Sequence, residues 1–208
     1  MLYAAYGSNL SERRFACYIA GGAAPGSSRV LRGARDKRPP ESWRALRVGG
    51  RLSFCGHSQT WGGAPAFFEP AAPDAHGGAE VFVRCWRLGW DQFEDVIAQE
   101  NGRTTDPLDI EPGALSKGFS ILAGPGHYDR LVCLGTVEGL PVMTCTAPGP
   151  SGYSTGEAAA PSLEYLAHII AGLRETFALD APAIVDYLGR ARGASPDLVR
   201  AALHVHPA

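Results

Sequence analysis

No stretch of the 208-residue chain approaches the about 20 consecutive apolar residues that a membrane-spanning helix needs. Runs of one charge sign are missing as well. Nineteen basic and 21 acidic residues leave a net charge of −2. The most basic segment, "RVLRGARDKR" from Arg29 to Arg38, is interrupted by Asp36. Such a segment reads as a solvated loop rather than a nucleic-acid or membrane patch. Met1 leads straight into strand-like sequence, without a basic leader or an apolar signal core. Paired cysteines are absent: the five stand at positions 17, 55, 85, 133 and 145, with no Cys-x-x-Cys. Most have apolar neighbours, as in "VFVRCWRL" and "VMTCTA", and read as reduced core thiols. No internal repeat interrupts the chain. These absences lead to the expectation of one cytoplasmic globular domain over 1–208, with no nucleic-acid and no membrane partner.

Familiar reaction motifs are also lacking. Pro150-Ser151-Gly152-Tyr153 is not a Gly-x-Ser-x-Gly elbow. "GPGHYDR" is not followed by the Lys-Ser/Thr of a phosphate loop. Cys55 and His57 share a strand face, yet a core thiol beside a loop histidine is the expected pair. His204 and His206 are too few for a metal site. No metal and no organic cofactor is expected.

What the sequence does contain divides by pattern. "MLYAAY" reads as a short apolar strand. Leu10 to Ala20 has helical spacing at Leu10, Phe15, Tyr18 and Ile19, with Ser8 or Asn9 as the expected cap. Gly21 to Ser42 reads as a long loop. Strands are expected at "WRALRV", "RLSFCG", "PAFFEP", "AEVFVRCWRL", "DRLVCLGTVEG" and "LPVMTCTAP". "WDQFEDVIAQEN" is a short amphipathic helix. Three further helices follow Pro161, with Pro161 and Pro182 near helix starts. Strands first and helices last imply an α+β fold, a curled sheet or small mixed β-barrel flanked by helices, with a helical C-terminus.

Three segments stand out as site candidates. "YAAYGSNL" ends a strand in an abrupt turn at Gly7, where a positive φ would be cheap and a ligand could approach closely. "SQTWGGAPAFFEP" is a polar, Gly-rich entry to a strand. Glu100 falls on the same helix face as Phe93, Val96 and Ile97, just before Gly102. A carboxylate on an apolar face is unusual, whereas Glu94 and Asp95 read as ordinary solvated acids.

Taken in order, "YAAYGSNL", "SQTWGGAPA", "QENG" and the helix start "PSLEY" resemble the γ-glutamylcyclotransferases, from Met1 to about Arg190. The resemblance implies a small-barrel fold and a small-molecule γ-glutamyl partner. It implies cyclisation to 5-oxoproline with release of the attached amine, in a monomer or homodimer without cofactor. By the same resemblance Tyr3, Ala4, Ala5, Tyr6, Gly7, Ser8 and Asn9 form the glutamyl pocket, Glu100 is the general acid/base, and Tyr165 contributes a hydroxyl. Such a role suits a carboxyl raised by partial burial, since an α-ammonium must lose a proton before it attacks. No Cys stands in a motif beside this pocket. The chain departs from the family's pattern in lacking a Tyr after the Glu and in the strand "VMTCTAP", and in the length of the Gly21–Ser42 loop. The alternative from another class is a non-catalytic binding or interaction module on the same fold.

Overall fold

The computed structural model describes residues 1–71, 78–103, 118–121, 126–147 and 156–205. The sequence features at Ser151, at "TTDPLDI" after the Glu and at His206 lie outside them.

Strand β1 (Leu2–Ala5) is buried along its whole length. It lies at the centre of a seven-stranded sheet in the order β3-β2-β4-β1-β7-β6-β5. Its neighbours are β4 (Glu80–Arg87), antiparallel, and β7 (Leu140–Thr146), parallel. A strand covered on both faces has no polar side to show, so "LYAA" is a continuous apolar run rather than an alternation. Alternation survives in which core each residue joins. Leu2, Ala4 and Tyr6 face one cluster with the C-terminal helices, and Tyr3 and Ala5 face a second with Phe15 and Phe93.

Strand β2 (Ser42–Phe54) unites the two strands expected at "WRALRV" and "RLSFCG". Residues 42–49 pair with β4, and residues 50–54 pair with β3 (Ala66–Pro70). The changeover falls at Gly50, at φ 153°, where a Cβ would lie 2.4 Å from the Glu69 carbonyl oxygen. Only glycine lets the strand turn this corner. The remaining strands are β5 (Phe119–Ile121), which the sequence reading missed, and β6 (Arg130–Val137). Thr146 on β7 closes the curl: its Oγ1 donates to the Phe68 carbonyl at 2.6 Å and accepts from the Phe68 amide at 3.1 Å. The result is a mixed α+β fold with a curled half-barrel sheet and, among the described residues, two α-helices between strands along the chain and three closing it.

Except for the helix that starts at Gly89, the helices start where a short polar side chain caps them. A 3-10 turn at Ser8–Leu10 precedes α1 (Glu12–Ala20), whose cap is Ser11, not Ser8 or Asn9. The cap moves because Ser8 and Asn9 are spent in the turn itself. Helix α2 (Trp90–Glu100) ends at Gly102, at φ 69°. Helices α3 (Leu163–Phe177), α4 (Ala181–Gly189) and α5 (Pro196–Ala202) are capped by Ser162, Asp180 and Ser195. Helix α3 lies tight on the 3-10 turn. A Cβ on Gly172 would stand 2.3 Å from the Leu10 Cβ.

Candidate functional site

The end of β1, the 3-10 turn, α1, α2 and the start of α3 converge on a cavity of about 220 Å³. It is lined by Tyr3, Tyr6, Gly7, Ser8, Asn9, Glu100 and Tyr165, so seven of the expected site residues meet in space. Ala4 and Ala5 do not line it. Their side chains fill the two cores, and the Ala4 carbonyl accepts from Thr144 Oγ1 at 2.8 Å. Those two alanines belong to the strand that carries the pocket, not to its wall.

Gly7 is there for a different reason from the expected one. Its φ is −106°, a value open to any residue, so left-handed backbone is not what selects glycine. Space is: a Cβ would stand 3.0 Å from the Tyr165 hydroxyl. That hydroxyl accepts the Ala66 amide at 3.1 Å, and burial pushes its pKa up to about 12. The "SQTWGG" segment also lands on the wall, through Ser58, Gln59, Thr60 and Trp61. Its second glycine, Gly63, lies against α3, where a Cβ would be 2.4 Å from the Ser162 amide nitrogen. The Trp61 ring packs 5.3 Å from Tyr165.

Glu100 closes the far side. It is the last residue of α2, and Asn9 Nδ2 donates to its Oε1 at 2.6 Å. Burial raises the carboxyl above its ordinary value, and it prevails over Arg14, the Tyr18 hydroxyl, Asn9 and Arg29, which all favour the charged form. The neighbouring acids are not solvated as expected. Asp95 is 1% exposed and accepts from the Arg35 amide at 2.7 Å and from Arg35 Nε at 3.0 Å. Glu94 is buried and pairs with Arg35 Nη2 at 3.1 Å. The Gly21–Ser42 loop folds back over α2, and its arginines cover the face that looked free.

Several wall residues escaped the sequence reading. Arg14 and Tyr18 stand four apart on α1, so they share a face, and Arg14 Nη2 donates to the Tyr18 hydroxyl at 3.1 Å. Tyr18 gave a helical-spacing signal, and nothing in the sequence separates Arg14 from the other arginines. Arg29, His57 and Tyr128 also line the cavity, and Tyr128 donates to the Ala66 carbonyl at 3.0 Å. Cys145 is on the wall too, although it stands in no sequence motif beside the pocket. Strand β7 brings it there from a distant part of the chain. Burial holds its thiol well above the usual range, so it is a poor nucleophile. The five cysteines are free thiols, with Cys55, Cys85 and Cys145 buried. Among the described residues, no three His, Cys, Asp or Glu side chains group as a metal site, and no helix is long and apolar enough to cross a membrane.

Comparison with known proteins adds two findings. The chain is similar to a protein of Arabidopsis thaliana named histone deacetylase 5, at 34% identity over 203 residues, or 91% of this chain and 30% of that protein. The chain thus spans less than a third of the curated relative it matches. A crystal structure of a human protein described as uncharacterized matches 97% of each chain with a TM-score of 0.50 and 18% identity. At that identity it supports the fold alone. No family model matches.

These findings correct the expected family. The γ-glutamylcyclotransferase resemblance finds no family model, and the sequence relative bears the name of a different activity. The γ-glutamyl substrate, the cyclisation and the 5-oxoproline product fall with it. So does the non-catalytic module, which borrowed the same family fold. The physical reason lies in the motifs. A strand, a tight Gly-Ser-Asn turn and a capped helix recur wherever a sheet hands over to a helix, so they report local geometry before they report a reaction.

Proposed function

We propose that the cavity is the active site of an enzyme that cleaves an amide bond in a small polar molecule, with Glu100 as the proton-transfer group. The observation that carries this reading is the Glu100 carboxyl itself. It lines the cavity, burial raises its pKa, and Asn9 holds it in place. A general acid/base works best when its pKa lies near the operating pH, and burial moves a carboxyl in that direction. Water is the nucleophile: Glu100 takes a proton from it as its oxygen bonds the amide carbon, then hands that proton to the nitrogen as the C–N bond breaks, so that the products are a carboxylic acid and an amine. Tyr165 accepts the Ala66 amide, which leaves its hydroxyl proton for a substrate oxygen.

The bond type draws support from the plant relative, whose name denotes removal of an acetyl group from an amide nitrogen. Only the class of bond is taken from it, because most of that protein has no counterpart in this chain. The size of the cavity favours a small molecule over a protein side chain on its backbone. The test is amine release from a panel of small carboxamides and an acetyl-lysine peptide. The wild-type protein should turn over at least one small amide. Glu100→Gln should lower that rate by about 10²–10⁴-fold. Retained turnover in Glu100→Gln sinks the assignment, and preference for the acetyl-lysine peptide moves the substrate to the one named for the relative.

A further inference from the structure

We propose that Arg14 is the anion anchor of this cavity, so that the molecule bound there carries a carboxylate or phosphate group. The inference rests on the reading of the cavity as a small-molecule site and names the substrate class that reading leaves open.

Arg14 is 3% exposed. A guanidinium does not give up its proton, so this charge stays inside the protein. Of its donors, Nη2 bonds the Tyr18 hydroxyl, whereas Nε and Nη1 meet no hydrogen-bond partner among the described residues. The group sits 4.8 Å from the Tyr18 ring centre and 5.1 Å from that of Trp61, on the cavity wall. The two rings fix its position and offer it no counter-charge.

A second buried arginine shows what the fold does when it supplies the counter-charge itself. Arg84 is equally enclosed, and it pairs with Glu12 at 3.0 Å and Glu175 at 2.8 Å. For Arg14 there is no such carboxylate within ion-pair distance among the described residues. A buried charge left with open donors is costly, and the cost falls when a ligand fills the gap.

The rest of the wall agrees. Arg29 adds another guanidinium, and its Nη2 donates to the Gln99 carbonyl at 2.7 Å. His57 and His127 bring no negative charge. Burial keeps the wall tyrosines and Cys145 protonated. Among the described residues, Glu100 is the one carboxyl of the lining. A wall with two guanidinium groups against one carboxyl selects for an anion. Carboxylate and phosphate oxygens both accept charge-assisted bonds from a guanidinium.

The test is equilibrium binding, measured by calorimetry at fixed ionic strength on the full chain. The probes are succinate, its neutral diamide succinamide, and inorganic phosphate. Succinate or phosphate should bind the wild-type protein at least about 10-fold more tightly than succinamide. Arg14→Gln should weaken the preferred anion by about 10- to 100-fold and leave succinamide unchanged. Which anion wins identifies the group. Glu100→Gln removes a carboxyl from the same wall and should hold or raise the anion affinity while Arg14→Gln lowers it, so failure of the proton-transfer assignment and failure of the anchor give different patterns. If Arg14→Gln does not fold, the wild-type comparison of succinate, phosphate and succinamide decides alone. Equal binding of charged and neutral probes by the wild-type protein, or unchanged anion affinity in a folded Arg14→Gln, overturns the proposal.

Discussion

Asn9 and Glu100 stand 91 residues apart in the chain, yet Asn9 Nδ2 lies 2.6 Å from Glu100 Oε1. The same Nδ2 donates to the Tyr3 hydroxyl at 3.3 Å. One side-chain amide therefore ties the end of α2 to both the first strand and the turn that follows it. Its own Oδ1 has no partner among the described residues.

Glu100→Gln should stabilise the protein at neutral pH. Burial raises this carboxyl above its ordinary value of 4.5, so the folded state holds the proton more tightly than the unfolded chain does. The stability from that source is fully present below 4.5 and is lost as the pH rises through the folded value. Glutamine cannot ionise, so it escapes the loss. Melting curves across pH should show the variant above wild type at neutral pH, with the gap closing in acid. A variant that melts below wild type at neutral pH contradicts a buried acid.

Gly7→Ala tests the crowding against Tyr165. The added Cβ meets the hydroxyl at 3.0 Å, and overpacking of this kind costs about 1–3 kcal/mol. In a Tyr165→Phe background the same change should cost less, because the clashing atom is gone. The coupling is read from a double-mutant cycle in denaturant. Additive costs would place the Gly7 requirement elsewhere.

Asp95 and Glu94 should separate sharply despite being adjacent. Asp95 is 1% exposed and holds the Gly21–Ser42 loop through Arg35 and Arg32. Arg35 is half exposed, so solvent screens part of the pair, and Asp95→Ala should cost about 1–3 kcal/mol. Glu94→Gln should stay within about 0.5 kcal/mol, since it loses a single pair to that same half-exposed arginine. Chemical denaturation of both variants checks the order.

Cys145 should be inert although it lines the cavity. Its thiol is held protonated by burial, whereas Cys17 and Cys133 are partly exposed. Iodoacetamide at neutral pH should label Cys17 and Cys133 first, read by mass spectrometry. Cys145→Ala should keep amide turnover within a few-fold. Prior labelling of Cys145, or loss of turnover in a folded Cys145→Ala, would assign it a chemical role.

Local signals account for most of the elements. Period and capping chemistry mark α2 and α3 within a residue or two, because Gly102 and Ser162 act on their own neighbours. β1 is legible as a buried strand for the same reason: its apolar run needs no partner to be recognised. The merging of two expected strands into β2 is not legible. Gly49 and Gly50 look like a break, and only the exchange of partner from β4 to β3 makes them the corner of one strand.

The cavity divides in the same way. An acid among Phe93, Val96 and Ile97 is visible as an anomaly in the sequence, and so is an abrupt turn after an apolar strand. Those features by themselves marked Glu100 and the Gly7 to Asn9 turn separately; the resemblance joined them, and the fold sets them on one cavity wall. Tertiary structure alone decided the rest. It buried Asp95 under a loop, set Cys145 on the wall, and left Arg14 inside with no carboxylate at ion-pair distance among the described residues. The cause is that burial and counter-charge depend on segments 60 or more residues away, as Arg35 to Asp95 shows, and no local pattern carries that information.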